Sequence, residues 1–221
     1  MQNCIKFVFF ELIRNGKMTT KATNIKWHLS KVTLEEIENR NQHDGCVIWF
    51  TGLSASGKST IAVEVERQLF DLGCHVRILD GDNVRHGLNK DLGFTKKDRE
   101  ENIRRISEVS KLFRATGMIC INAFISPFQR DRDQARDLID EGHFFEVYIK
   151  ASLETCIKRD PKGIYKKAMA GEIKDFTGIS SPYEPPENPE LVIDTDENDI
   201  KECARILINF LKEKGIVRNG K

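Results

Sequence analysis

The run Gly52-Leu53-Ser54-Ala55-Ser56-Gly57-Lys58-Ser59 constrains this chain more than any other feature, because it satisfies GxxxxGK[ST] at every fixed position. Such a loop works between a strand and a helix. Its glycines let the backbone wrap tightly enough for N–H groups to converge on phosphate oxygens. The helix that follows adds the positive end of its dipole. The flanks supply this context. Cys46-Val47-Ile48-Trp49-Phe50 is a continuous apolar run, as in a parallel strand buried on both faces. Beyond the loop, Ile61, Val65, Leu69 and Leu72 recur at helical spacing, and Gly73 stops the pattern. The expectation is that Gly52 through Thr60 bind ATP, with Lys58 on the β and γ phosphates and the Ser59 hydroxyl on Mg²⁺.

The alternation continues downstream. Strands are predicted at 75–79, 118–125, 143–149 and 191–193. Helices are predicted at 98–116, where Ile103, Ile106, Val109 and Phe113 share a face, and at about 130–140. A short helix starts at Ser152, and a closing one carries Ile200, Cys203, Leu207 and Leu211. This order argues for an α/β fold with a central parallel sheet flanked by helices. Residues 160–190 break the pattern, being rich in lysine and punctuated by Gly163, Gly171, Gly178 and five prolines from Pro161 to Pro189. An insert of that kind is either a lid or a disordered linker.

With 221 residues the chain suits one such domain plus short appendages: an arm over 1–23, the domain over 24–217 and a tail over 218–221. A formal charge of +1 gives no case for a broad nucleic-acid-binding face. No apolar run is long enough to span a bilayer, so no membrane partner is expected. The six cysteines form no CxxC pair and no zinc-like spacing with the histidines, which suits a reducing, cytoplasmic compartment. Up to Leu34, Glu11 is the one acidic residue against six lysines and arginines. That bias is compatible with an organellar targeting peptide, with a loose arm, or with a start at Met18.

A phosphate-binding loop does not say where the phosphate goes. Asn89-Lys90-Asp91-Leu92 puts its aspartate one place early for a guanine-binding NKxD motif, and the third strand ends in Phe124-Ile125-Ser126, without the aspartate usual in a motor ATPase. Carboxylates appear instead in Asp80-Gly81-Asp82, at the C-terminal end of the second strand, where ligands bind in open α/β sheets. Two such groups divide the work, one serving Mg²⁺ and the other accepting the proton of an attacking hydroxyl. Alternatively they cap a turn. Arg85, Arg99, Arg104 and Arg105 offer planar forks for an anionic acceptor. Phe94 and Phe176 lie in glycine-bearing loops, as aromatics that either stack on a base or belong to the core.

Longer motifs then carry a resemblance. Val47 to Ser54, Leu79-Asp80-Gly81-Asp82-Asn83-Val84-Arg85-His86-Gly87-Leu88, Arg99-Glu100-Glu101-Asn102-Ile103-Arg104-Arg105 and Phe124-Ile125-Ser126-Pro127-Phe128 stand in the order found in the adenylylsulfate kinase family. Asp160-Pro161-Lys162-Gly163-Ile164-Tyr165 and Phe176-Thr177-Gly178-Ile179 complete the set, so that the chain resembles this family from about Asn24 to Val217. The resemblance implies ATP-dependent phosphorylation of the 3′-hydroxyl of adenosine 5′-phosphosulfate. It implies Lys58, Asp80, Asp82 and Arg99 as catalytic residues, with Asp82 on the hydroxyl and Asp80 joining Ser59 at the metal. Substrate contacts would come from Asp82, Asn83, Arg85, Phe94, Arg99, Asn102, Ile125, Ser126, Lys162 and Phe176. Of these, Phe94 and Phe176 would sandwich the adenine, Lys162 would descend from the lid, and Ser126 matches a serine phosphorylated in some members. The resemblance further implies a homodimer. The end at residue 221 sets the expectation of a free-standing kinase rather than a fusion. A nucleotide-holding protein without activity is the rival from another class.

Overall fold

The computed structural model describes residues 24–26 and 28–218. The expected arm (1–23) and residues 219–221 of the tail lie outside the described residues. The chain divides into two units, Met1–Val32 and Thr33–Lys221. The described residues of the first unit carry no helix or strand.

The second unit holds a five-stranded sheet. In chain order its elements are α1 (Leu34–Asn41), β1 (Cys46–Thr51), α2 (Lys58–Asp71), β2 (Val76–Asp80), α3 (Gly81–Arg85), α4 (Lys96–Ala115), β3 (Ile119–Ala123) and α5 (Gln129–Arg136). There follow β4 (Phe144–Lys150), α6 (Leu153–Arg159), α7 (Ile164–Met169), β5 (Leu191–Asp194) and α8 (Ile200–Glu213). Strand order is β2-β3-β1-β4-β5, and every pairing is parallel. All strands therefore end at the same edge of the sheet.

Alternation along β1 shows why its sequence is apolar throughout. Cys46, Ile48 and Phe50 face one core, shared with Ile61, Val65 and Leu69 of α2 and Leu207 and Leu211 of α8. Val47 and Trp49 face the other, with Ile103 and Ile106 of α4 and Ala135 of α5. Both sides of the strand are dry, so neither set of side chains could be polar. The Trp49 ring lies between Phe124 and Phe144, with centroids 6.2 and 5.9 Å away.

The sequence-based expectation and the structure differ where local turns win. Helix α5 ends at Arg136, because Leu138 and Ile139 bond three residues back and tighten the chain into turns before Asp140. Strand β3 ends at Ala123, two residues short of Ile125, as the chain leaves the ladder toward Ser126. Helices α1, α3 and α7 were not expected from the periodicity. The first is set by a Thr33–Glu36 capping box and docked by Arg114, whose guanidinium bonds Glu38 at 2.7 Å and Asp140 at 2.9 Å. Among the described residues no helix is long and apolar enough to cross a membrane.

Gly45 allows β1 and β3 to start side by side. A Cβ there would lie 2.8 Å from the Gly117 carbonyl carbon and 3.0 Å from the Arg114 oxygen, all main chain that cannot swing away. Gly45→Ala is expected to destabilise the fold by about 1–3 kcal/mol, read as a lower urea midpoint at unchanged slope. An unchanged midpoint would show that this approach is not tight.

Candidate active site

At the C-terminal edge of the sheet the chain between β1 and α2 folds back on itself. Gly52 (φ 152°), Ala55 (φ 61°) and Gly57 (φ 105°) all have positive φ, which turns successive N–H groups inward. Gly52 has no alternative, since a Cβ would sit 2.4 Å from the Ile149 carbonyl oxygen. Lys58 opens α2 and is 7% exposed. Its Nζ donates to the carbonyls of Gly52 (2.9 Å) and Leu53 (2.6 Å). Burial pulls the pKa of this ammonium down to about 8.

Next to it, Ser59 Oγ donates to Asp80 Oδ2 at 2.6 Å. Asp80 Oδ1 accepts from the Asp82 N–H at 2.9 Å and so caps α3. Asp80 thus caps the turn, the alternative weighed from sequence, and at the same time faces the phosphate-binding loop. A hydroxyl and a carboxylate oxygen at one point are a hard donor pair of the kind that would suit Mg²⁺.

A cleft of about 1530 Å³ opens above these groups, larger than a site for one small ligand. Lys58, Ser59, Asp80 and Asp82 line it together with Asn83, Arg85, Phe94, Arg99, Asn102, Ile125, Ser126, Lys162 and Phe176. Every substrate-contact residue implied by the resemblance therefore meets the phosphate-binding loop in one space, whereas Arg104 and Arg105, expected to face the anionic acceptor, lie outside the lining because Arg104 pairs with Glu101 and Arg105 with Glu101 and Asp91. Gly52, Leu53 and Ser56 lie outside the cleft lining, and Ser56 is fully buried.

The acceptor wall is held by its own contacts. Arg85 Nη1 donates to the carbonyls of Leu92 and Gly93, both at 3.0 Å, and its guanidinium lies 4.4 Å from the Phe94 ring centroid. Arg99 engages all three nitrogens: Nε with the Phe94 carbonyl (2.9 Å), Nη1 with Thr177 Oγ1 (2.7 Å) and Nη2 with the Asp175 carbonyl (2.6 Å). Burial lowers the pKa of both arginines, yet their starting point is so high that they stay charged. Asn102 is buried, its Oδ1 accepting from Asn89 Nδ2 at 3.0 Å. Ser126 is 2% exposed at φ 39°, and its Oγ accepts from Trp49 Nε1 at 3.1 Å. A phosphate on that hydroxyl would have to displace the indole. Phe94 is 66% exposed, whereas Phe176 is buried edge-on against Tyr165, centroids 5.0 Å apart.

Residues 160–190, the expected lid or disordered linker, form an ordered segment with a small core of its own. Tyr165, Ala168 and Phe176 pack with Cys156 and with Leu53 and Ala55 of the phosphate-binding loop. Tyr165 OH donates to the Ser54 carbonyl at 3.0 Å, and Lys162 Nζ pairs with Asp82. Sequence reasoning missed Tyr165, Thr177 and the pair Arg159–Thr195. Arg159 bonds Thr195 Oγ1 (2.9 Å) and the Thr195 carbonyl (2.6 Å), while Thr195 Oγ1 donates to the Ser56 carbonyl at 3.0 Å. Thr195 follows β5 directly, and the rule that ligands sit beyond strand C-termini was the signal that could have found it.

Gly52→Ala is expected to abolish binding of inorganic triphosphate in calorimetry while the far-ultraviolet circular dichroism stays that of the wild type, because the clash falls between the loop and the end of β4, at the edge of the sheet. Retained binding would mean that the loop does not need this approach.

The comparisons with known proteins agree with the geometry. The family model described as adenylylsulphate kinase matches residues 44–194. The adenylyl-sulfate kinase of Acaryochloris marina is 54% identical over 201 residues, 91% of this chain and 98% of that one. The probable adenylyl-sulfate kinase of Bacillus subtilis is 57% identical over 191 residues, 86% of this chain and 97% of that one. Among solved structures, the Mycobacterium tuberculosis APS kinase CysC in complex with AMPPNP and APS superposes with a TM-score of 0.73 at 47% identity, covering 77% of this chain and 99% of its own. Matched through its loop, sheet and lid to relatives of nearly the same extent, this chain belongs to the adenylylsulphate kinase family.

Proposed function

We propose that the chain transfers the γ-phosphoryl group of ATP to the 3′-hydroxyl of adenylylsulfate, giving ADP and 3′-phosphoadenylylsulfate. One observation carries the reading: a single cleft, roomy enough for two nucleotides, joins Lys58 and Ser59 to Asp80, Asp82 and the residues of the acceptor wall. The relative solved with AMPPNP and APS supports both ligands.

The geometry divides the work. The main chain of residues 52–60 and Lys58 hold the β and γ phosphates, and charge on the transferred group is stabilised by the Lys58 ammonium. Ser59 and Asp80 are the residues that would hold Mg²⁺, which neutralises phosphate charge when bound. Asp82 accepts the proton of the 3′-hydroxyl as the new P–O bond forms and the bond to the leaving ADP oxygen breaks. Asn83, Arg85, Asn102 and Ile125 line the acceptor side, and Phe94 and Phe176 face its adenine. Lys162, reaching Asp82 from the lid, couples closure to the hydroxyl-activating group and helps to exclude water from the γ-phosphate. Arg99, bonded to both the Phe94 loop and the lid, orders the acceptor wall around the anion. Among the described residues the five free cysteines, at 46, 74, 120, 156 and 203, are all buried, which suits a reducing cytoplasm. The family resemblance supports a homodimer, to be distinguished from a monomer by sedimentation velocity.

ADP release from Mg-ATP with adenylylsulfate, AMP, gluconate or shikimate as acceptor tests the reaction. Turnover is expected with adenylylsulfate, and Asp82→Ala is expected to lower kcat by about 10²–10⁴. Turnover with another acceptor alone would discard the substrate, and tight ATP binding with no turnover would favour a nucleotide-holding protein.

Lys58 sets a pH dependence. Its pKa is about 8 in the free protein, and phosphate oxygens favour the charged form, so above that pH nucleotide binding must take up a proton. Affinity for ATP is therefore level below about pH 7 and falls above 8, approaching about tenfold per pH unit. Calorimetry in buffers of different ionisation enthalpy should detect proton uptake at about pH 9. Lys58→Arg, charged throughout, should show none. Equal uptake in both proteins would assign the proton elsewhere.

A further inference from the structure

One buried ion pair has no part in the roles above. Arg132 of α5 is fully enclosed and Glu146 of β4 is 3% exposed at the side chain, with Nε to Oε1 at 2.5 Å. Replacing such a pair by apolar residues of similar volume is often neutral or stabilising, so a buried ion pair is weak evidence for a stability role. What Arg132 does with its other nitrogens is specific. Nη1 donates to the Ser126 carbonyl at 2.8 Å, and Nη2 donates to the Glu184 carbonyl at 2.9 Å and to Gln129 Oε1 at 2.6 Å. Ser126 stands in the left-handed region at φ 39°, a conformation a serine holds only when its surroundings insist on it. Glu184 lies at the returning end of the lid, and its N–H donates to the Pro127 carbonyl at 2.8 Å. The same turn is bonded to the strand that leads into the phosphate-binding loop, Thr51 Oγ1 donating to the Ile125 carbonyl at 2.8 Å and meeting Tyr183 OH at 3.0 Å.

We propose that Arg132, neutralised by Glu146, is a positioning residue for the acceptor subsite: its fork holds the Ser126 turn in its strained conformation and ties it to Glu184 where the lid returns to the body. Arg159 pins the start of the lid to Thr195, so that Arg132 completes a pair of fixed roots between which the lid moves. The inference rests on the functional reading above for its kinetic test.

Four proteins decide it in a Trp27→Phe background, which leaves Trp49 as the one fluorophore of its kind: the parent, Arg132→Met, Arg132→Lys, and the double variant Arg132→Met/Glu146→Leu. The single Met variant leaves the buried Glu146 carboxylate with only a long contact to a cation, Arg136 Nη2 at 3.4 Å, and is expected to unfold at lower urea, whereas the double variant removes both buried charges and should recover stability. Its KM for adenylylsulfate is nevertheless expected to rise about tenfold with KM for ATP within about twofold, since the Ser126 and Glu184 carbonyls lose the guanidinium that ties them together. Arg132→Lys keeps the charge but lacks the fork and should behave as the double variant does. Trp49 emission should shift in the double variant, because Nε1 bonds the Ser126 hydroxyl on this turn. A double variant with the parental KM for adenylylsulfate, or a lysine variant that restores it, overturns the proposal. If the parent itself does not use adenylylsulfate, the functional reading has failed separately, and an unchanged Trp49 emission in the stable double variant then overturns the positioning role.

Discussion

The backbone at Gly52 has no room for any side chain, and the rest of the site depends on that. A methyl group at Gly52 would run into the Ile149 carbonyl of the neighbouring strand. The loop therefore lies flush on the sheet edge, Lys58 is drawn beneath it, and burial lowers the lysine's pKa toward the working range. Because all five strands end at this edge, Asp80 at the end of β2, the Ser126 turn after β3 and Thr195 after β5 arrive around the same loop. Each comes from a different strand. Their meeting is a property of the parallel sheet rather than of any one segment.

The lid shows how a segment rich in glycine and proline is ordered without a large core. Tyr165, Ala168 and Phe176 make a cluster too small to stand alone, but Leu53 and Ala55 of the phosphate-binding loop complete it. Lid and loop thus share apolar surface as well as the Tyr165 to Ser54 hydrogen bond. Polar contacts supply direction: Arg99 holds Asp175 and Thr177, and Lys162 reaches Asp82. These are exposed or half-exposed contacts, weak individually, which fits the lid role proposed for this segment. The buried Arg132–Glu146 pair at the lid's return is of another kind, since an unpaired charge there would be costly.

Much of this was legible in the chain of residues. The loop motif, the five strands, the inner faces of the long helices and the Asp80-Gly81-Asp82 turn follow from spacing and period alone, because each is specified by neighbours within a few positions. The resemblance to adenylylsulfate kinases, resting on long ordered motifs, assembled the acceptor residues that line the cleft. Tertiary structure decided the remainder. Residues 160–190 could be read as ordered or as a disordered linker until the packing of Tyr165 and Phe176 on the loop was seen, since a glycine-broken run has no period to betray its partner. Strand β3 stops at Ala123 because the turn that follows is held by Thr51 and Trp49 of the distant strand β1 and by Arg132 of the helix after it. Arg132 itself looked like any charge on a polar helix. Burial and bonding to groups up to 52 residues away are what distinguish it, and a local pattern carries no record of such contacts.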